Sequence, residues 1–466
     1  VFASAVSFLL LPLFTKWMSP REYGTFALLL LFSSFAKILF RLGLDSGYFR
    51  IHYDLPTPHE QRRLAGSVAL FATGAATALF LLTVALSGPL SRLLSADEPP
   101  PPLYVVLAAA DVWLATFCFV PLAILRIEGR PGIFSAFSAL RHATNVGLKV
   151  YLLMNGHGVL GVLLADVIAT ALFALVLSPT LLRGTAAAFD WPLVRAALGF
   201  GLPKVPHGLM VQAQNLLDRR ILEAFVSRAE LGIYHVGYTL GGAAKFVSAA
   251  FEPAWQPFLY EQVRKEDAPR LVARVVTYVF AGFLLCGTAL AVLGRELVVV
   301  MLEARFHDAA PIVPVVAIAY VLHGAFLLGS VGIGITKSAR YYPLVTAVSA
   351  GVNVVANLLL IPHYGPLGAA WATVASYAAM AGLGIFLSQR LWPVPFETGR
   401  LVRLVATAVV VLALAPLVPG APGVAIALKL GLLVGGFGTL LVVPGFLNGS
   451  ERAALLRGLG RLGGRG

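Results

Sequence analysis

Apolar runs of about 20 residues, the length that crosses a bilayer as a helix, follow one another along the chain with short polar breaks between them. Fourteen are legible, at approximately 1–17, 24–48, 67–90, 102–125, 132–154, 158–182, 193–217, 232–256, 271–294, 309–332, 341–361, 365–388, 401–418 and 423–446. Membrane strands would be about 10 residues long with strict alternation, and GLLVGGFGTLLVV (Gly431 to Val443) does not alternate. The pattern therefore predicts an all-α polytopic membrane protein of fourteen transmembrane helices. Composition agrees, because 58% of the residues are hydrophobic and 12% charged, against about a quarter charged in soluble domains.

The basic residues set an orientation. Counted over alternate polar breaks, twenty Lys and Arg lie on the side of the C-terminal tail and eight on the other. Positive charge collects in cytoplasmic loops, so both termini are expected in the cytoplasm. The net charge of +13 is then a topology signal, and nucleic acid is not an expected partner. Cys118 and Cys286 each lie within an apolar run, where a packing role outweighs a disulfide or metal site. No cleavable signal peptide is visible, and Val1 already sits inside an apolar run, so the first helix is expected to be truncated.

SPREYGTF (Ser19 to Phe26) returns as SRAELGIY (Ser227 to Tyr234), 208 residues later. The same offset carries Asn145 in NVGLKVYLLMNGHGVLGV onto Asn353 in NVVANLLLIPHYGPLGA, and an offset of 207 carries Gly161 onto Gly368. The chain reads as two six-helix repeats, 1–182 and 193–390, followed by two extra helices in 401–446 and a basic cytoplasmic tail, 447–466. Six spans separate equivalent helices, so the repeats run parallel, related by a pseudo-twofold axis along the membrane normal. Such lobes commonly enclose a cavity that opens to alternate sides.

Three stretches carry a resemblance. LPLFTKWMSPREYGTFAL (Leu11 to Leu28) places a proline, a basic residue and E-x-G between the first two helices. RLGLDSGYFR (Arg41 to Arg50) ends the second helix on an arginine. GLPKVPHGLMVQAQNLLDRRILEAFVSRAELGIYHVGYTL (Gly201 to Leu240) combines a Leu-Pro start, the Asp218-Arg219 pair and a Gly-x-Tyr opening to the eighth span. In these motifs, their order and their spacing, nearly the whole sequence resembles the oligosaccharide flippases of the multidrug/oligosaccharidyl-lipid/polysaccharide exporter superfamily, also called polysaccharide biosynthesis or O-antigen transporter proteins. The resemblance implies two six-helix bundles in a V with helices 13 and 14 added. It implies flipping of a polyprenyl-diphosphate-linked oligosaccharide across a bacterial inner membrane, for O-antigen, capsule or exopolysaccharide assembly. It also implies membrane lipids, glycosyltransferases and a polymerase as neighbours, and it calls for no cofactor.

Such a head group is anionic, and the chain offers counter-charge. Seven basic side chains lie inside the runs: Lys37, Arg41, Arg141, Lys149, Lys204, Lys245 and Lys429. A charge at the bilayer centre costs about 2.5–3.5 kcal/mol on insertion scales, so this many imply an aqueous cavity or close pairing. Lys37, Arg141, Lys204 and Lys245 fall near the middle of their helices, two from each repeat. Their ammonium groups and bidentate guanidinium suit diphosphate oxygens. The expected substrate-binding set is Lys37, Arg41, Arg50, Arg141, Lys149, Lys204 and Lys245, with Arg50, at the cytoplasmic mouth, raised to that role by the resemblance.

Each of these residues also has a structural reading. Asp45, Asp111, Asp166 and Asp218 are candidate sites for H⁺ or Na⁺ coupling or for ion pairs, and such acids are more often ion-pair partners than coupling sites. Arg41 and Asp45 are spaced i, i+4, and Asp166 lies one hairpin from Lys149. Lys429, near a span end, is expected to extend to the membrane surface. Pro203 and Pro206 flank Lys204 and predict a hinge in the seventh span, with a simple packing bend as the competing reading. Gln212, Gln214, Asn215 and Asp218 form a polar stripe suited to sugar hydroxyls or to interhelical bonds, and Asn353 and Asn357 allow the same two readings.

Other classes fit less well. No G-x-x-x-x-G-K-[ST] loop is present, so ATP is not the direct driver. A multidrug exporter of the same superfamily would favour an acidic cavity. A membrane glycosyltransferase or polymerase would need a sizeable outer loop with acidic or histidine catalytic groups, whereas the outer breaks are under about 20 residues and His207 and His323 are isolated in sequence. A transporter without a metal site, and not an enzyme, is expected.

Overall fold

The computed structural model describes residues 11–128, 131–186, 188–203, 205–206, 208–209, 212, 221–222, 224–248, 251, 255, 259, 267–336, 338, 341–442 and 446. All regular elements among them are helical, and nine are long and apolar enough to cross a membrane. The expected spans 1–17, 193–217, 232–256 and 423–446 lie partly outside the described residues. Two compact units divide the chain, one of them Leu9–His235 and the other containing Val236–Gly466.

The first unit holds α1 (Leu11–Trp17), α2 (Pro20–Arg41), α3 (Leu44–His52), α4 (Pro58–Ala85), α5 (Ser87–Leu94), α6 (Pro102–Phe117), α7 (Phe119–Ile127), α8 (Pro131–Met154), α9 (Gly158–Gly184) and α10 (Trp191–Gly201). Helix α11 (Arg228–Gly241) begins in this unit and continues past its boundary. The boundary is one of contact, whereas the repeat boundary is one of sequence.

The recurring octapeptide is a helix start. Ser19 N donates to Glu22 Oε2 at 2.8 Å while Glu22 N donates to Ser19 Oγ at 3.2 Å, and Pro20 occupies the first turn. Ser227 and Glu230 repeat both bonds at 2.8 and 3.3 Å. This reciprocal box satisfies two backbone donors that a helix N-terminus leaves open. Just beyond it, α2 and α11 cross at their glycines. A Cβ on Gly24 would collide with the Arg228 carbonyl, and one on Gly232 with the Pro20 carbonyl.

The far end of α2 is built differently. The helix stops at Arg41, Leu42 takes φ 49°, and Gly43 takes φ 71° before α3 resumes. Gly43 and Gly201 meet backbone to backbone, each leaving no room for a side chain on the other, and Gly47 lies against the Ala197 carbonyl. The expected run 24–48 is thus broken near its end, at a point that packs against residues far along the chain.

The second unit contains α12 (Ala268–Met301), α13 (Ile312–Gly329), α14 (Val331–Ile335), α15 (Tyr341–Leu391), α16 (Thr398–Leu414) and α17 (Pro422–Val442). Helix α15 is two expected spans, 341–361 and 365–388, joined through Gly365 at φ 52°, ψ −130°. Its arms fold back on each other, since Ser349 Oγ lies 2.9 Å from Ser376 Oγ. The α8–α9 hairpin of the first unit shares a detail: Gly161 abuts Leu152, and Gly368 abuts Leu360. Helices α16 and α17 pack on α12, with Val292, Val411, Ala415 and Leu433 buried between them.

Candidate substrate-binding site

Arg141, Asn145 and Lys149 succeed one another at i, i+4 and i+8 on α8, and so form a stripe along one helix face. Helix α9 runs antiparallel to α8 and presents Asp166 and Thr170. Arg141 Nη2 donates to Thr170 Oγ1 at 3.0 Å, Asn145 Nδ2 donates to Asp166 Oδ1 at 2.8 Å, and Lys149 Nζ stands 2.8 Å from the same Asp166 oxygen. Thr170 Oγ1 in turn donates to Asp111 Oδ1 on α6 at 2.6 Å. Lys37 on α2 is exposed, and it and Arg141 both act electrostatically on Asp111. Three bases and two acids from four helices therefore meet in a bundle that is otherwise largely apolar. The Lys149 and Asp166 side chains are only 12% and 26% exposed, so their mutual neutralisation offsets much of the cost of embedding them.

The remaining sequence-derived residues of this unit are placed singly. Arg41 Nη1 lies 3.6 Å from Asp45 Oδ2. The pair matches the i, i+4 spacing but does not sit on one continuous helix, because it straddles the break at Leu42 and Gly43. Arg50 Nη1 pairs with Asp54 at 2.9 Å, both side chains about half exposed. Pro203 lies in the turn that follows α10, and Pro206 in helical backbone three residues on. Lys204, His207, Gln214, Asn215, Asp218, Arg219 and the tail from 447 lie outside the described residues.

In the second unit Lys245 follows a 3₁₀ turn, Gly242–Ala244, and is exposed. Its ammonium sits 4.6 Å from the Tyr320 ring centroid and 5.9 Å from that of Tyr238, and Tyr320 donates to the Tyr238 hydroxyl at 3.1 Å. His323 and Tyr377 extend this aromatic group at ring separations of 6.4 and 5.9 Å from Tyr320. Ring faces attract cations by about 0.5–1 kcal/mol at exposed sites. Lys245 is Lys37 moved by the repeat offset of 208, and Asn353 and Asn357 are likewise Asn145 and Lys149. Asn357 Nδ2 donates to Asn353 Oδ1 at 2.9 Å, with both residues buried. The second repeat keeps the amide and replaces the lysine by another amide.

Two features escaped the sequence. Thr170, the hydroxyl that joins Arg141 to Asp111, carries no charge to mark it; only its spacing of i+4 from Asp166 could have found it. Lys429 does not extend to the surface as expected: it is buried, with Nζ 2.7 Å from Glu296 Oε1.

The arrangement can hold an anion. Arg141 presents donors from a position fixed by its bond to Thr170, and Lys37 adds an exposed charge nearby; there is no cluster of metal-ligating side chains among the described residues. Over 347 residues the chain is 24% identical to the lipid III flippase of Escherichia coli (strain K12), covering 72% of this chain and 82% of that protein, and it matches the lipid III flippase of Shigella flexneri equally. Among solved structures it is similar to the lipid II flippase MurJ in an inward closed conformation, with TM-score 0.75, 12% identity, and 94% and 96% of the two chains covered. It is also similar to an inward-facing multidrug resistance MATE family transporter of the MOP superfamily, with TM-score 0.62, 14% identity, and 83% and 94% coverage. These likenesses show that the chain shares the fold of these solved structures. The profile of the family described as polysaccharide biosynthesis protein matches residues 13–311, and the chain belongs to that family.

Proposed function

We propose that this protein flips a polyprenyl-diphosphate-linked oligosaccharide from the cytoplasmic to the outer leaflet of a bacterial inner membrane, supplying a cell-surface polysaccharide such as O-antigen, capsule or exopolysaccharide. The observation that carries this reading is the α2–α6–α8–α9 cluster of Lys37, Arg141 and Lys149 with Asp111 and Asp166. A guanidinium has five N–H donors, and one of those on Arg141 goes to Thr170. The others suit phosphate oxygens, with Lys37 as a mobile second charge. Lys245 repeats the Lys37 position in the other half of the chain, so this ammonium recurs in both repeats. Family membership and the likeness to lipid-linked flippases support the same substrate class.

The mechanism follows from differential cost. A diphosphate in hydrocarbon is prohibitive, and pre-placed cations lower that cost without requiring tight binding. The polyprenyl tail stays in lipid while the head passes the cluster, and the two repeats open to alternate sides. Both termini then lie in the cytoplasm, as the charge count indicates, and pathway glycosyltransferases and a polymerase are the proposed neighbours.

Binding tests this reading directly. Purified protein in nanodiscs should retain a labelled polyprenyl diphosphate at least tenfold better than the uncharged polyprenol, and Lys37→Gln with Arg141→Gln should remove the preference. Equal retention of both lipids by the unaltered protein would contradict it.

A further inference from the structure

A second charged site, built from residues not assigned above, lies on α12 and α17. Lys429 on α17 donates to Glu296 Oε1 at 2.7 Å and to the Val292 carbonyl at 3.1 Å, both on α12. The two charged side chains are each 9% exposed. They line a cavity of about 520 Å³ together with Arg295, Pro314, Pro416 and Gly420, within the range of about 300–1,000 Å³ that small-molecule sites occupy. The ion pair by itself would be a clamp holding α17 on α12. That role does not account for Glu296 Oε2, which is buried and has no hydrogen-bond partner. Nor does it call for a cavity or for the adjacent guanidinium.

The unmet chemistry is specific. Glu296 Oε2 requires a donor, and a cationic one gives a bond about twice as strong as a neutral one. Arg295, exposed beside it, and the third N–H of Lys429 can both donate to an anion. A single ligand carrying an ammonium and a phosphate a few ångströms apart would meet both. Glu296 is five residues from the end of α12 and Lys429 seven from the start of α17, so both lie about 10 Å or less below the helix ends at 1.5 Å per residue. By the charge count those ends face the outer side, so the cavity lies in the outer-leaflet half of the membrane. We infer that this cavity binds the head group of an ethanolamine phospholipid, its ammonium on Glu296 Oε2 and its phosphate between Arg295 and Lys429.

The test is lipid retention by the full-length protein, read by native mass spectrometry after exchange into nanodiscs containing phosphatidylethanolamine, phosphatidylcholine or phosphatidylglycerol. Phosphatidylcholine keeps the phosphate but has no N–H, and phosphatidylglycerol offers only neutral donors. The ethanolamine lipid should be retained at least fivefold over either, Glu296→Gln should abolish that preference, and Arg295→Gln, at an exposed position, should lower retention about tenfold. Soluble phosphoethanolamine at equal concentration should not displace the lipid. Equal retention of the three lipids, or preference unchanged in Glu296→Gln, would overturn the inference, as would displacement by the soluble head group. If Glu296→Gln fails to fold, Arg295→Gln decides: unchanged ethanolamine-lipid retention would leave the ion pair as a clamp alone.

Discussion

Arg141 reaches Asp111 through one hydroxyl: its Nη2 donates to Thr170 Oγ1 at 3.0 Å, and Thr170 Oγ1 donates to Asp111 Oδ1 at 2.6 Å. The hydroxyl fixes a base and an acid on different helices in a single geometry. Thr170→Val keeps the shape and removes the bridge, leaving two embedded charged groups each short of a partner. Stability should fall by about 1–3 kcal/mol, translocation should fall about tenfold, and Thr170→Ser should restore both. Thermal unfolding and a vesicle flipping assay check this pair of outcomes; a fully active Thr170→Val protein would mean the bridge is incidental.

Lys149 and Asp166 should behave as a coupled pair. Removing one partner of a largely buried ion pair strands the other, at a cost on the order of 3 kcal/mol. Lys149→Met and Asp166→Asn should each destabilise strongly, and the double variant should be more stable than the two single losses added together. A double-mutant cycle on unfolding measures the coupling directly. Additive losses would show that the 2.8 Å contact contributes nothing.

The crossing of α2 and α11 depends on two missing side chains. Gly24→Ala would drive a methyl into the Arg228 carbonyl, and Gly232→Ala into that of Pro20. Each should cost about 1–3 kcal/mol through overpacking, seen as a lowered unfolding midpoint. Gly74→Ala, where a Cβ meets nothing within 4 Å, is the control and should be neutral or slightly stabilising.

Much of the architecture was legible because membrane helices advertise themselves by length and polarity. The repeat of Ser19 and Glu22 at Ser227 and Glu230 even preserved its hydrogen bonds, since a capping box needs only local sequence. What escaped the sequence was set by distant contacts. Lys429 looks like a residue near a span end, and nothing nearby announces Glu296, 133 positions away. The Arg41–Asp45 spacing was readable, but the packing of Gly43 against Gly201 beside the break between them was not. The basic residues of the proposed site were found by their charge, whereas Thr170 and the Tyr238–Tyr320 pair beside Lys245 are ordinary membrane-helix residues until folding brings them together.

The central claim is that embedded cations carry an anionic lipid-linked head group across the membrane. Its most direct measurement is translocation of a polyprenyl-diphosphate oligosaccharide by protein reconstituted in vesicles, comparing the unaltered chain with Lys37→Ala, Arg141→Ala and Lys245→Ala at matched protein density. The account predicts at least a tenfold loss of flipping in each variant with the unfolding midpoint largely retained for Lys37→Ala, whose side chain is exposed. Full flipping in all three, or export of a cationic dye in place of the lipid-linked sugar, would contradict it.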